Sequence, residues 1–66
     1  MMCQEEKNNI IKAAESMIKK CDESISIWNH LITNSMVSKD DGECHISNQQ
    51  KQKELLVKLI EDTKKL

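Results

Sequence analysis

Sixty-six residues bound the chain to a single domain, in a size range where one core is marginal unless metal, disulfides or association supports it. Ten lysines against eleven acidic residues leave a formal charge of −1, so no global field selects nucleic acid or an anionic membrane. The absence of arginine removes the side chain best suited to bidentate reading of phosphate or guanine. Specific nucleic-acid recognition is therefore not expected.

With no proline, one glycine and a single aromatic residue, Trp28, the chain lacks the turns and aromatic cross-strand pairs of a sheet, and an all-α fold is predicted. Met1 to Glu6 form no basic segment leading into an apolar run, and no stretch approaches the roughly 20 apolar residues of a membrane span. A cytoplasmic protein is expected. Cys3, Cys21 and Cys44 are odd in number and far apart, which favours reduced thiols over a disulfide framework.

In chain order, the first predicted element is a long helix over about residues 4–37. Its apolar line runs through Ile10, Ala14, Met17, Cys21, Ile25, Trp28, Ile32 and Met36, about 3.7 residues per step and closer to an 11-residue than a 7-residue repeat. Ile11, Ile18 and Leu31 widen the line into a face. Asp22 to Ile27, with alternating Ser and Ile and two capping residues, marks the alternative: a break near Asp22 and a three-helix arrangement.

Residues 38–47 hold Gly42 and a run of polar residues, and read as the connecting loop. Ser47 with Gln50 three residues on has the form of a capping box, which starts the second helix at about residue 48 and runs it to about 65. Leu55, Leu56, Leu59 and Ile60 supply its apolar side, while Lys64 and Lys65 suit the negative end of its dipole.

A short loop makes the two helices an antiparallel hairpin. By the rise per residue the first would span roughly 50 Å and the second roughly 27 Å. Ile10, Ile11 and Ala14 would then project beyond the second helix, with Met17 at the margin. These residues, with Ile18 and Trp28, are the expected partner interface, completed by self-association or another chain. Trp28 has two readings, a plug in the core of the hairpin and an anchor for a partner.

Few residues suggest chemistry. Cys44 and His45 are adjacent, but no second ligand pair accompanies them as structural zinc requires, and no acid or oxyanion element accompanies them as a nucleophile would. Asp40, Asp41 and Glu43 lack the alternating pattern of a calcium loop. No phosphate loop, nucleophile elbow or helical His-x-x-x-His pair occurs.

Neither an enzyme nor a cofactor is expected. The leading function is a protein–protein interaction module acting as a regulator, inhibitor or co-chaperone. In length and architecture alone such a hairpin is similar to the co-chaperones of type III secretion needle subunits and to small phage-encoded inhibitors. Two alternatives stand beside it: an oligomer whose Lys51, Lys53 and Lys58 ring a nucleotide or other small anion, and a coiled-coil spacer.

Overall fold

The computed structural model describes residues 3–66 and consists of two long helices, α1 (Gln4–Thr33) and α2 (Lys39–Lys64), packed antiparallel as a hairpin. The fold is all-α, as expected, and α1 passes through Asp22 without a break. At 1.5 Å per residue α1 is about 45 Å long and α2 about 39 Å, so the partners nearly match.

That match corrects the expected overhang. α2 begins at Lys39 rather than near residue 48, and Ala14, expected to protrude, is 2 % exposed. The reason lies in the capping chemistry. Ser38 Oγ accepts the Asp41 amide hydrogen at 3.2 Å, and Asp40 and Asp41 sit in the first turn where the helix dipole favours acids. The polar run 39–45 is therefore the start of a helix, and Ser47 and Gln50 lie within it despite their cap-like spacing.

The true connector is residues 34–38. Ser35 adopts the left-handed conformation, φ 57°, while Gly42 does not. The Met36 amide donates to the Leu31 carbonyl at 2.9 Å and the Ser35 amide to the Ile32 carbonyl at 3.1 Å. This pair of bonds is the Schellman ending, with serine where glycine is usual, and it satisfies carbonyls that the end of α1 would otherwise leave free.

Gly42 serves a different purpose. A Cβ placed there would fall on the Ile32 side chain, 2.5 Å from Cδ1 and closer still to Cγ1, so its lack of a side chain lets the helices approach beside the connector. Farther along, Trp28 stacks on His45 with ring centroids 4.0 Å apart and 6° between planes. Beyond that, Lys53 Nζ lies 2.7 Å from Asp22 Oδ1. Rising positions in α2 thus meet falling positions in α1.

The sides that face each other repeat every seven residues. In α1 the buried and half-buried positions include Ile11, Ala14, Ile18, Cys21, Ile25, Trp28 and Ile32, and in α2 Gly42, Ile46, Gln49, Lys53, Leu56, Ile60 and Thr63. Steps of three and four alternate throughout, the pattern that keeps two helices in contact along their length. Five members of the expected line, Ala14, Cys21, Ile25, Trp28 and Ile32, lie in this seam; Met17 falls beside it and Met36 in the connector, and both are exposed.

In α1 every second seam position is isoleucine, and between them stand Ala14, Cys21 and Trp28. Among the described residues the fully buried positions are small: Ala14, Cys21, Gly42 and Thr63. Close approach of the backbones excludes water there, while the larger seam side chains spread to either side and remain half-exposed. Two helices enclose no more than this, which limits the stability the hairpin draws from its own core.

Candidate functional site

The two long edges of the hairpin differ in chemistry. On one edge, α1 presents Asn8, Glu15, Asp22 and Asn29, the last three following the seam residues Ala14, Cys21 and Trp28, and α2 presents Glu43, Gln50, Val57 and Lys64. An open groove of about 620 Å³ runs here between Asp22, Ile25, Gln50, Lys53, Glu54 and Val57. Its lysine is engaged by Asp22, and Glu54 adds a further acid, so the groove offers an anion little attraction.

On the other edge, α1 presents Ile10, Met17, Ser24 and Leu31, the residues preceding each seam isoleucine, and α2 presents His45, Gln52 and Leu59. Ile27 and Leu55 lie one step farther out on the same side, by the order of positions around a helix. Met17, Ile27, Leu55 and Leu59 are 53 %, 59 %, 68 % and 46 % exposed. A shallow hollow of about 200 Å³ lies midway along this edge, lined by Met17, Lys20, Cys21, Ser24, Gln49, Gln52 and Leu56. The two grooves confirm which flank of α1 meets which flank of α2.

Exposed large apolar side chains thus gather on one face of the helical body, with Val57 the exception on the polar edge. Scattered singly, such residues would need no explanation; four gathered on one side of a rod about 50 Å long, with polar residues at mid-length, suit a surface that associates. Many exposed apolar residues on an extended shape indicate a partner or oligomer.

The residues expected from sequence to form the interface divide between seam and face. Ile10 and Met17 belong to the apolar face, Ile10 half-buried and Met17 exposed. Ile11 and Ile18 are half-buried seam residues, and Ala14 is fully within the seam. Trp28 is half-buried, and its stacking on His45 makes it part of the hairpin's own packing while leaving a portion of its surface on the apolar side. Ile27, Leu31, Leu55 and Leu59 complete the face without having been singled out as interface from sequence. The seven-residue repeat was the signal that would have found them, since it fixes which residues flank the seam.

The remaining reactive residues do not converge. His45 turns to Trp28, and Cys44 is exposed on α2. Cys3 caps α1, its Sγ accepting the Glu6 amide hydrogen at 3.5 Å. Among the described residues no three His, Cys, Asp or Glu side chains are grouped so as to hold a metal ion, and no helix is long and apolar enough to cross a membrane. Lys53 is drawn into the seam, separating it from Lys51 and Lys58 on the outer side of α2. In comparison with known proteins, the chain matches no family model, no curated protein and no solved structure.

Proposed function

We propose that this chain is a non-enzymatic protein–protein interaction module whose working surface is the apolar face carrying Met17, Ile27, Leu31, Leu55 and Leu59. The observation that carries the reading is the uneven placement of exposed apolar residues: Met17, Ile27, Leu55 and Leu59 share one edge, broken midway by Lys20, Ser24 and Gln52, whereas Val57 stands alone among polar residues on the other. Water is excluded from that face when a second apolar surface covers it. At about 25 cal/mol per Å² of apolar area, a few hundred Å² provides several kcal/mol toward association before its entropic cost.

A module of this kind regulates, inhibits or chaperones by occupancy. It covers an apolar surface of its target, or releases its own face when the target competes for it.

The test is face-specific capture. Wild-type protein and the Leu55→Glu variant are immobilised in parallel and exposed to an extract of the native host. A protein retained by the first and lost by the second, while circular dichroism shows both equally helical, supports the reading. Identical retention by the two overturns the assignment of this face, because Leu55 is largely exposed and its replacement leaves the seam untouched.

A further inference from the structure

We infer that the apolar face is covered by a second copy of this chain, two hairpins stacking face to face about a two-fold axis that runs along the rod to give a four-helix bundle. This rests on the reading of the face as a docking surface and names its occupant.

The first argument is area. The hairpin exposes 5172 Å² for a mass of 7.6 kDa. By the scaling for compact monomers, a chain of this mass exposes roughly 4,300 Å². The excess, roughly 900 Å², is close to the ~800 Å² that each partner contributes to a standard interface. The Cα positions extend 50 by 14 Å across the rod, so a second rod of equal length laid along it covers the face from end to end.

The second argument is the polar belt across the middle of the face. Ser24, Gln49 and Gln52 line the shallow hollow there, together with Lys20. A carboxamide both donates and accepts, so glutamines brought together by a two-fold axis satisfy each other, whereas an apolar foreign surface would leave them unpaired at a cost. A polar belt of this kind also fixes register, since any slip sets the amides against aliphatic carbon.

An axis along the rod keeps every residue at its own level and exchanges the two helices of the face. α1 of one copy then lies antiparallel over α2 of the other, and the pairing of Trp28 with His45 and of Asp22 with Lys53 sets Met17 between the levels of the second copy's Leu55 and Leu59. Charge agrees with this pairing. The outer row of α2 is Lys51, Lys58 and Lys65, which opposes laying α2 on α2, whereas α1 over α2 puts Glu23 at the level of the second copy's Lys51.

Sedimentation equilibrium of the untagged full chain tests the inference. The expected result is a concentration-dependent rise to about 15 kDa, twice the chain mass of 7.6 kDa. Ile27→Glu and Leu59→Glu should each weaken dimerisation by at least about tenfold with helicity retained, while Val57→Glu on the polar edge leaves it unchanged. Glu23→Lys should weaken the dimer and Lys51→Glu added to it should restore it, which reads the register directly.

A helical wild-type chain that stays monomeric up to ~200 µM, a concentration at which even a modest dimer would form, overturns the inference. So does a dimer disrupted by Val57→Glu and indifferent to Ile27→Glu and Leu59→Glu. The broader reading fails separately. A monomer that still shows capture abolished by Leu55→Glu refutes the second copy and leaves a docking surface for another protein, whereas a monomer with no face-dependent capture refutes both.

Discussion

Replacing Gly42 by alanine should destabilise the hairpin, although glycine is a poor helix former and its removal from a helix is ordinarily favourable. Alanine gains roughly 0.5–1 kcal/mol in helix propensity, and less near a helix start, where Gly42 stands. Against this, the new methyl falls on Ile32, within 2.5 Å of Cδ1 and nearer to Cγ1, so either the isoleucine leaves its rotamer or the helices part beside the connector. Overpacking of that kind costs about 1–3 kcal/mol. The steric term wins, for a net loss of about 1–2 kcal/mol. In a domain of this size that lowers Tm by roughly 5–15 °C.

The assay is thermal and urea unfolding followed by circular dichroism at one fixed protein concentration, because association would make Tm depend on concentration. A cycle with Ile32→Ala isolates the cause. That change removes both clashing carbons, so in its background Gly42→Ala should become neutral or mildly stabilising, a coupling of about 1 kcal/mol or more between the two sites. An increase in Tm on Gly42→Ala alone, or an equal loss in both backgrounds, would refute the claim that Gly42 is required for close approach.

Three further substitutions check the connector and the start of α2. Ser35→Gly should stabilise the chain by about 0.5–1 kcal/mol, because glycine holds the left-handed conformation without the strain a side chain brings, and a loss of stability in urea unfolding would contradict that geometry. Ser38→Ala should cost about 1 kcal/mol, whereas Ser47→Ala should be neutral or stabilising by a few tenths, since the first removes a cap and the second improves a helix interior. The reverse order in a thermal melt would move the start of α2 back to where the Ser47 and Gln50 pattern suggests it.

Sequence carries the architecture through composition. The lack of proline, the sparse glycine and the helical recurrence of Ile25, Trp28 and Ile32 are sufficient for two antiparallel helices. It misleads over the boundary, because the pattern of Ser followed three residues later by Asp, Glu or Gln occurs both at Ser38 and at Ser47. Tertiary packing reinforces the cap at Ser38: starting there brings Gly42 against Ile32 and His45 onto Trp28, burying surface that a ten-residue loop would leave wet. A lone glycine amid acids resembles a loop, and its part in helix contact emerges only when Ile32 is opposite.

The face was harder to read for a related reason. Ile10, Met17 and Ile11, Ile18 are neighbours in sequence, so a line drawn through either set has nearly helical spacing. Polar residues also occupy the true seam of α2 at Gln49 and Lys53, weakening its periodic signal, and Lys53 is accommodated there by its contact with Asp22. An ion pair this exposed contributes at most about 1 kcal/mol. Its position at the seam suits it better to holding register than to adding stability.

The burial of Cys21 has a consequence of its own. Cys3 and Cys44 are exposed, while Cys21 lies in the seam between the helices. A thiol-directed reagent meets two sulfurs at the surface and a third only when the helices separate, since reaction needs an accessible thiolate. The rate at which the third is consumed therefore times the opening of the hairpin, free or associated, with no label added. Cys21 gives the molecule a clock of its own breathing.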